Sequence, residues 1–362
     1  MMKDYRVLIS KHRSAVMGLM ALLIIVYHAR WETNSWIFNN TVNRYGSIGV
    51  DVFVFVSGFG LAYALTKSHG FGSYMNRRLT RILPAYYSFQ ILNLLVVLLL
   101  MAFGIKNKLM QPIEAILPIG VWFNFDSNRN LAYKWYVAAT IGFYVIAAVI
   151  YPVLRKSRFL YLTVFIFMLI TVCFIPFIAD MSHMPFALQR LPALVMGLAV
   201  GVAALRKEPK YRKTSIGMIC LSAAFAAGVI MIMLEGHVSG EFLLKMTDAS
   251  SLSLKQSLIA PLFTVLLTAL FELMVRIHLE SVAKCFAWLG KLSLELYLVH
   301  SIVSGILEIT AMHKSIQVLL TVVISIPAAV MLKWLSGKVL LMWRKLIRHF
   351  MTENYDTMYL PQ

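Results

Sequence analysis

Runs of apolar residues recur along this chain, each bounded by short polar segments in which lysine and arginine gather. A helix that crosses a bilayer core needs about 20 mostly apolar residues. Ten runs meet that need, at roughly 14–30, 48–67, 82–104, 133–154, 159–179, 187–205, 214–234, 257–276, 285–307 and 315–336. The pattern predicts ten transmembrane helices in an all-α, polytopic integral membrane protein. Residues 110–124 (MQPIEAILPIGVWFN) are apolar but short, and Pro112 and Pro118 interrupt them. They suit an interfacial or re-entrant segment better than another span. The expected organisation is one membrane domain over residues 1–345 and a cytoplasmic tail over 346–362.

Composition agrees with the pattern. Only 14% of the 362 residues are charged and 60% are hydrophobic, whereas soluble domains carry about 25% charge. No segment between spans is long enough for a separate soluble domain. The net charge of +18 raises the possibility of nucleic acid, but the basic residues sit between the apolar runs. There they act as topology signals and as contacts for anionic lipid head groups, so nucleic acid is set aside. With a cytoplasmic N-terminus, the inner segments collect Lys3, Arg6, Lys11 and Arg13, then Lys67, Arg77, Arg78 and Arg81, and later Arg155, Lys156, Arg158 and Arg206. The outer segments hold fewer, which predicts an N-in, C-in topology. The three cysteines lie in apolar stretches without metal-ligand spacing, so neither a disulfide framework nor a metal site is expected.

Two ionisable residues inside the apolar runs call for a reason, because such groups are costly in lipid. His28 closes the first run and Asp51 opens the second. Consecutive spans run in opposite directions, so the two residues share a depth and can meet near the outer face. Histidine is the side chain suited to accept a proton near neutral pH, and a nearby carboxylate can fix its tautomer. An N-cap role for Asp51 is compatible with this reading. Arg77, Arg78 and Arg81 cluster at the cytoplasmic end of the second span. They serve a positive-inside role and also make a plausible anion seat.

Five stretches occur in a fixed order: MGLMALLIIVYHAR with His28; GVDVFVFVSGFG with Asp51 and Ser57; YMNRRLTRILPAYY with Arg77, Arg78 and Arg81; YKWYVAATIGFY together with LQRLPALVMGLAVG, which holds Arg190; and LGKLSLELYLVHS with Tyr297 and His300. The ordered set resembles the acyltransferase 3 family, membrane-bound enzymes that O-acylate cell-surface and secreted glycans and include O-antigen and Nod-factor acetylases. The resemblance runs from about His12 to His300.

The resemblance implies that His28 is the general base for the acceptor hydroxyl, with Asp51 as its acidic companion. It also implies that Arg77, Arg78 and Arg81 hold the phosphates of an acetyl-CoA or other acyl-CoA donor. Ser57, Arg190, Tyr297 and His300 follow as substrate-binding or supporting residues. The implied partners are a glycan or polysaccharide acceptor, acyl-CoA and membrane lipids, in a multi-pass protein of the bacterial cytoplasmic membrane. One departure is that Met17 stands where the family often has an arginine, and Arg13, one helical turn earlier, is the substitute. The competing class is a glycan flippase or other secondary transporter, which would show paired halves and Gly/Pro-broken helices at the midplane.

Overall fold

A computed structural model describes residues 4–29, 35–104, 135–181, 185–206, 212–240, 252–310 and 312–358. These residues are helical throughout, with no strand among them. The helices are α1 (Tyr5–His28), α2 (Trp36–Tyr45), α3 (Ile48–Thr66), α4 (Phe71–Ala102), α5 (Trp135–Lys156), α6 (Leu160–Met181) and α7 (Pro185–Leu188). They continue with α8 (Leu191–Leu205), α9 (Arg212–Met233), α10 (Leu252–Arg276), α11 (Glu280–Gly290), α12 (Ser293–Glu308) and α13 (Lys314–Met358). Lipid offers the backbone no hydrogen-bond partners, so apolar runs of this length fold as helices that satisfy themselves. The expected segment at 110–124 lies outside the described residues.

Eight of the ten apolar runs each fall on one helix, while 187–205 covers α7 and α8 and 285–307 covers α11 and α12, and not every helix is long enough to span. Among the described residues, seven helices have the length and apolarity to cross a membrane, and eight if α11 and α12, bent by 73°, count as one broken span. The apolar helix α8 (Leu191–Leu205) is shorter. Fifteen residues make roughly 22 Å of helix, less than the ~30 Å of hydrocarbon. The last helix continues through the expected domain boundary at 345 as far as Met358.

α3 and α8 are apolar all round and buried on nearly every face, so they form the centre of the bundle. Among the described helices they make the most extensive pair. Glycine allows the approach: a Cβ on Gly58 would lie 2.5 Å from the Leu194 carbonyl oxygen, and one on Gly201 2.7 Å from that of Phe59. A second backbone-to-backbone crossing joins α1 to α11, where Gly18 faces the Phe286 carbonyl and Gly290 that of Ser14. α6 and α13 turn Phe165, Leu169, Leu319, Val323 and Trp334 outward, as lipid-facing helices do.

Polar ties fix the helix ends. Ala193 N–H donates to Ser257 Oγ at 2.9 Å, so α10 supplies a partner for a backbone N–H at the buried start of α8. Ser47 donates to Gln256 Oε1 at 2.8 Å, which pins the corner between α2 and α3 to α10. At the other end, Arg206 donates to the carbonyls of Leu154, Arg155 and Ser157 at 2.6, 2.7 and 2.9 Å, closing the C-terminus of α5. The buried carboxylate of Glu272 on α10 pairs with Lys11 at 2.7 Å and His12 at 2.9 Å on α1.

Candidate active site

A cavity of about 500 Å³ opens between α1, α3, α4, α5 and the break between α11 and α12. Its cationic lining is Arg13 from α1, Lys67 from the end of α3, Arg77, Arg78 and Arg81 from α4, and Lys291 from the break. No acidic side chain is among the described lining residues. α4 starts at Phe71, so the three arginines stand on a formed helix, and Arg77 and Arg81 share a face. Arg77 is steadied by Ser73 Oγ at 3.2 Å and the Lys67 carbonyl at 3.3 Å. The Arg78 guanidinium lies 6.0 Å from the centre of the Tyr144 ring. Like charges drawn together from four elements repel one another, and a polyanion is the ligand that relieves this.

The Arg13 side chain reaches this cavity and lies against Gly60, where a Cβ would sit 3.8 Å from its Nη1. Met17 lines the same wall. Arg13, one turn before Met17, thus brings a cation to the space that Met17 lines.

Deeper in, the lining becomes apolar and passes Ser57 to end at Phe53, Tyr136 and Val137. A file of rings continues from there. Phe53 and Tyr136 have centroids 6.4 Å apart, Tyr136 and Tyr297 4.7 Å, Tyr297 and His300 5.7 Å, and His300 and His28 5.0 Å. His28 is the last residue of α1, and its Nδ1 lies 3.0 Å from Nε2 of His300 on α12. His300 is buried, and its Nδ1 lies 3.2 Å from the Leu296 carbonyl oxygen. Two imidazoles joined by a hydrogen bond can act as a base whose tautomer the bond fixes.

The expected His28–Asp51 hydrogen bond does not form. Asp51 is fully buried in the first turn of α3, and neither carboxylate oxygen accepts a hydrogen bond. Its ionic partner is Arg190, whose Nε lies 3.5 Å from Oδ1. The reason lies in the packing: α3 is bound most extensively to α8, and Arg190 is the residue that precedes α8. Nor does Asp51 act as the cap, since Ser47 occupies the N-cap position of α3. The Arg190 guanidinium stacks 4.8 Å above the Trp135 ring, a favourable geometry for a buried cation. His300, which was expected only to support the site, takes the place at His28 that Asp51 was expected to fill.

Arg77, Arg78, Arg81 and Ser57 thus share one cavity, while His28, His300 and Tyr297 share one aromatic file. Asp51 and Arg190 form a third, buried pair. Sequence reasoning missed Lys291 and Tyr136, although both lie inside motifs that it singled out, LGKLSLELYLVHS and YKWYVAATIGFY. No group among the described residues gathers three His, Cys, Asp or Glu side chains in a metal-binding arrangement.

Neither a curated protein nor a solved structure matches the chain. The model of the acyltransferase domain family known as acyltransferase 3 matches residues 17–337, nearly the whole length, and includes every candidate site residue except Arg13. With its apolar helices making it a multi-pass membrane protein, the chain belongs to the acyltransferase 3 family, and that membership implies acyltransferase activity.

Proposed function

We propose that the protein is a membrane-embedded O-acyltransferase that moves an acyl group, acetyl in the first instance, from acyl-CoA to a hydroxyl of an extracytoplasmic glycan. The observation that supports this reading is the alignment of the site. A cationic cavity leads to an aromatic file, and the file ends at a hydrogen-bonded pair of histidines. Acyl-CoA carries phosphates at one end and a thioester at the other, joined by a long neutral arm. Six cations at the mouth suit the phosphates, since arginine binds them through charge-assisted, bidentate contacts. Ser57 and the apolar depth suit the arm.

In this proposal the chain crosses the cytoplasmic membrane of a bacterium ten times, N-in and C-in. The short helix α8 and α6 count as crossings, and α11 with α12 as one broken crossing. The arginine patch then faces the cytoplasm, where acyl-CoA is made, and His28 lies toward the outer face. Asp51 to Lys67 spans sixteen residues of α3, roughly 24 Å at 1.5 Å per residue, so the two ends of the site lie near opposite surfaces. The break between α11 and α12 turns the N-terminus of α12 toward the cavity, and its partial positive charge adds to the anion seat.

For the reaction, the acceptor hydroxyl oxygen attacks the thioester carbonyl carbon while His28 takes its proton. The C–O bond forms, the C–S bond breaks, and the departing CoA thiolate takes the proton back. Asp51 and Arg190 support the site by holding α3 against α8. Labelled acetyl-CoA given to the cytoplasmic face of sealed vesicles should acetylate the glycan, and His28→Ala should abolish this while the protein still reaches the membrane. Glycan acetylation by His28→Ala, or efficient acetylation with donor on the outer face alone, refutes the proposal.

A further inference from the structure

The hydrogen bonds around the histidine pair determine which nitrogen carries which proton. The Leu296 carbonyl can only accept, so the His300 Nδ1 that faces it at 3.2 Å carries hydrogen. Neutral imidazole has one N–H, which leaves His300 Nε2 as an acceptor. The His28 Nδ1 lying 3.0 Å from that acceptor must therefore be the donor. The approach is closer than stacked ring faces allow, and the planes differ by only 14°, so the rings meet edge to edge along an N–H···N hydrogen bond. By elimination, the lone pair of His28 lies on Nε2. The Leu296 carbonyl belongs to the turn preceding His300 in α12, so this order is built into a buried helix rather than into a loop.

We infer that His300 is a positioning residue that holds His28 in its Nδ1–H tautomer, so that Nε2 is the nitrogen which takes the proton of the acceptor hydroxyl. The inference rests on the reading of His28 as the base and gives His300 the work usually done by a carboxylate. As His28 Nε2 takes the hydroxyl proton, its Nδ1–H stays hydrogen-bonded to His300, which steadies the imidazolium. The same bond ties the outer end of α1 to α12 and fixes the direction of the ring. A backbone-anchored imidazole does this without placing a second charge in the membrane.

The test uses inside-out membrane vesicles from expressing cells, which keep the endogenous acceptor, with [14C]acetyl-CoA as donor. His300→Gln keeps an acceptor oxygen near the position of Nε2, whereas His300→Leu removes it at similar bulk. The expected kcat falls at least about 100-fold in His300→Leu and less than about tenfold in His300→Gln, with KM for acetyl-CoA within about threefold in both. Equal loss in the two variants, or no loss in His300→Leu, overturns the inference. Activity surviving in His28→Ala instead overturns the underlying reading, so the two failures are told apart. Should the His300 variants fail to accumulate, 15N NMR of the histidine-labelled wild type decides. The His28 ring, assigned by the signals lost in His28→Ala, must show a protonated Nδ1 and an unprotonated Nε2, and the reverse pattern refutes the assignment.

Discussion

Replacing Gly58 with alanine tests the central seam of the fold. The added Cβ would lie 2.5 Å from the Leu194 carbonyl oxygen and 3.0 Å from the Leu198 nitrogen. Non-bonded heavy atoms settle at about 3.5 Å, so α3 must withdraw from α8 by up to about 1 Å. A gap of that size forfeits a quarter to a half of each atomic contact across it. The opposing atoms are backbone and cannot rotate away, and the seam includes the fully buried Phe55, Phe59 and Leu198. Overpacking of this kind costs about 1–3 kcal/mol, and backbone opposition places Gly58→Ala in the upper part of that range. The control is Gly337→Ala in α13, where an added Cβ meets nothing within 4 Å. There alanine is favoured over glycine by up to about 1 kcal/mol. Thermal unfolding of both variants in detergent micelles, followed by size-exclusion chromatography, should show a lower midpoint for Gly58→Ala and an unchanged or higher one for Gly337→Ala. Equal midpoints would refute the argument that glycine sets the spacing of α3 and α8.

Arg190→Gln leaves the Asp51 carboxylate buried without its cation, which should cost about 3–5 kcal/mol in the same assay. Adding Asp51→Asn should recover a large part of that loss, and a double variant no better than the single one refutes the pairing. Replacing Arg78 or Lys291 with glutamine should raise KM for acetyl-CoA about tenfold or more, in keeping with about 1.5–3 kcal/mol for a hydrogen bond to a charged group. Raising salt from about 0.1 M to about 1 M shortens the screening length from ~10 to ~3 Å and should raise the wild-type KM as well. A KM indifferent to both changes removes the cavity cations from donor binding.

The positions and order of the apolar helices were legible because hydrophobic length is a local property of the chain, although seven or eight of them, not ten, pass as spans among the described residues. Their ends were less so. α1 begins at Tyr5 rather than near residue 14, where Arg6 pairs with Asp4, and Lys11 and His12 meet Glu272, which lies more than 250 residues away. α4 begins at Phe71, so the arginine patch rides on the helix itself. The bend at Lys291 and Leu292 was invisible, since averaged hydropathy records composition and not direction. The partner of Asp51 was beyond reach for a related reason. α3 is apolar on all sides and shows no stripe to tell which face meets which neighbour. The motif residues were found, but their pairing, His28 with His300 and Asp51 with Arg190, depends on contacts between elements far apart in the chain.

The aromatic file has an electrical consequence. Between the cationic vestibule and the histidines stand Phe53, Tyr136 and Tyr297, ring against ring. A hydrated ion passing this stretch would have to shed its water against carbon, at a cost of many kcal/mol. The protein can thus keep a wide, charged chamber open at one end without draining the ion gradients of the bilayer in which it sits.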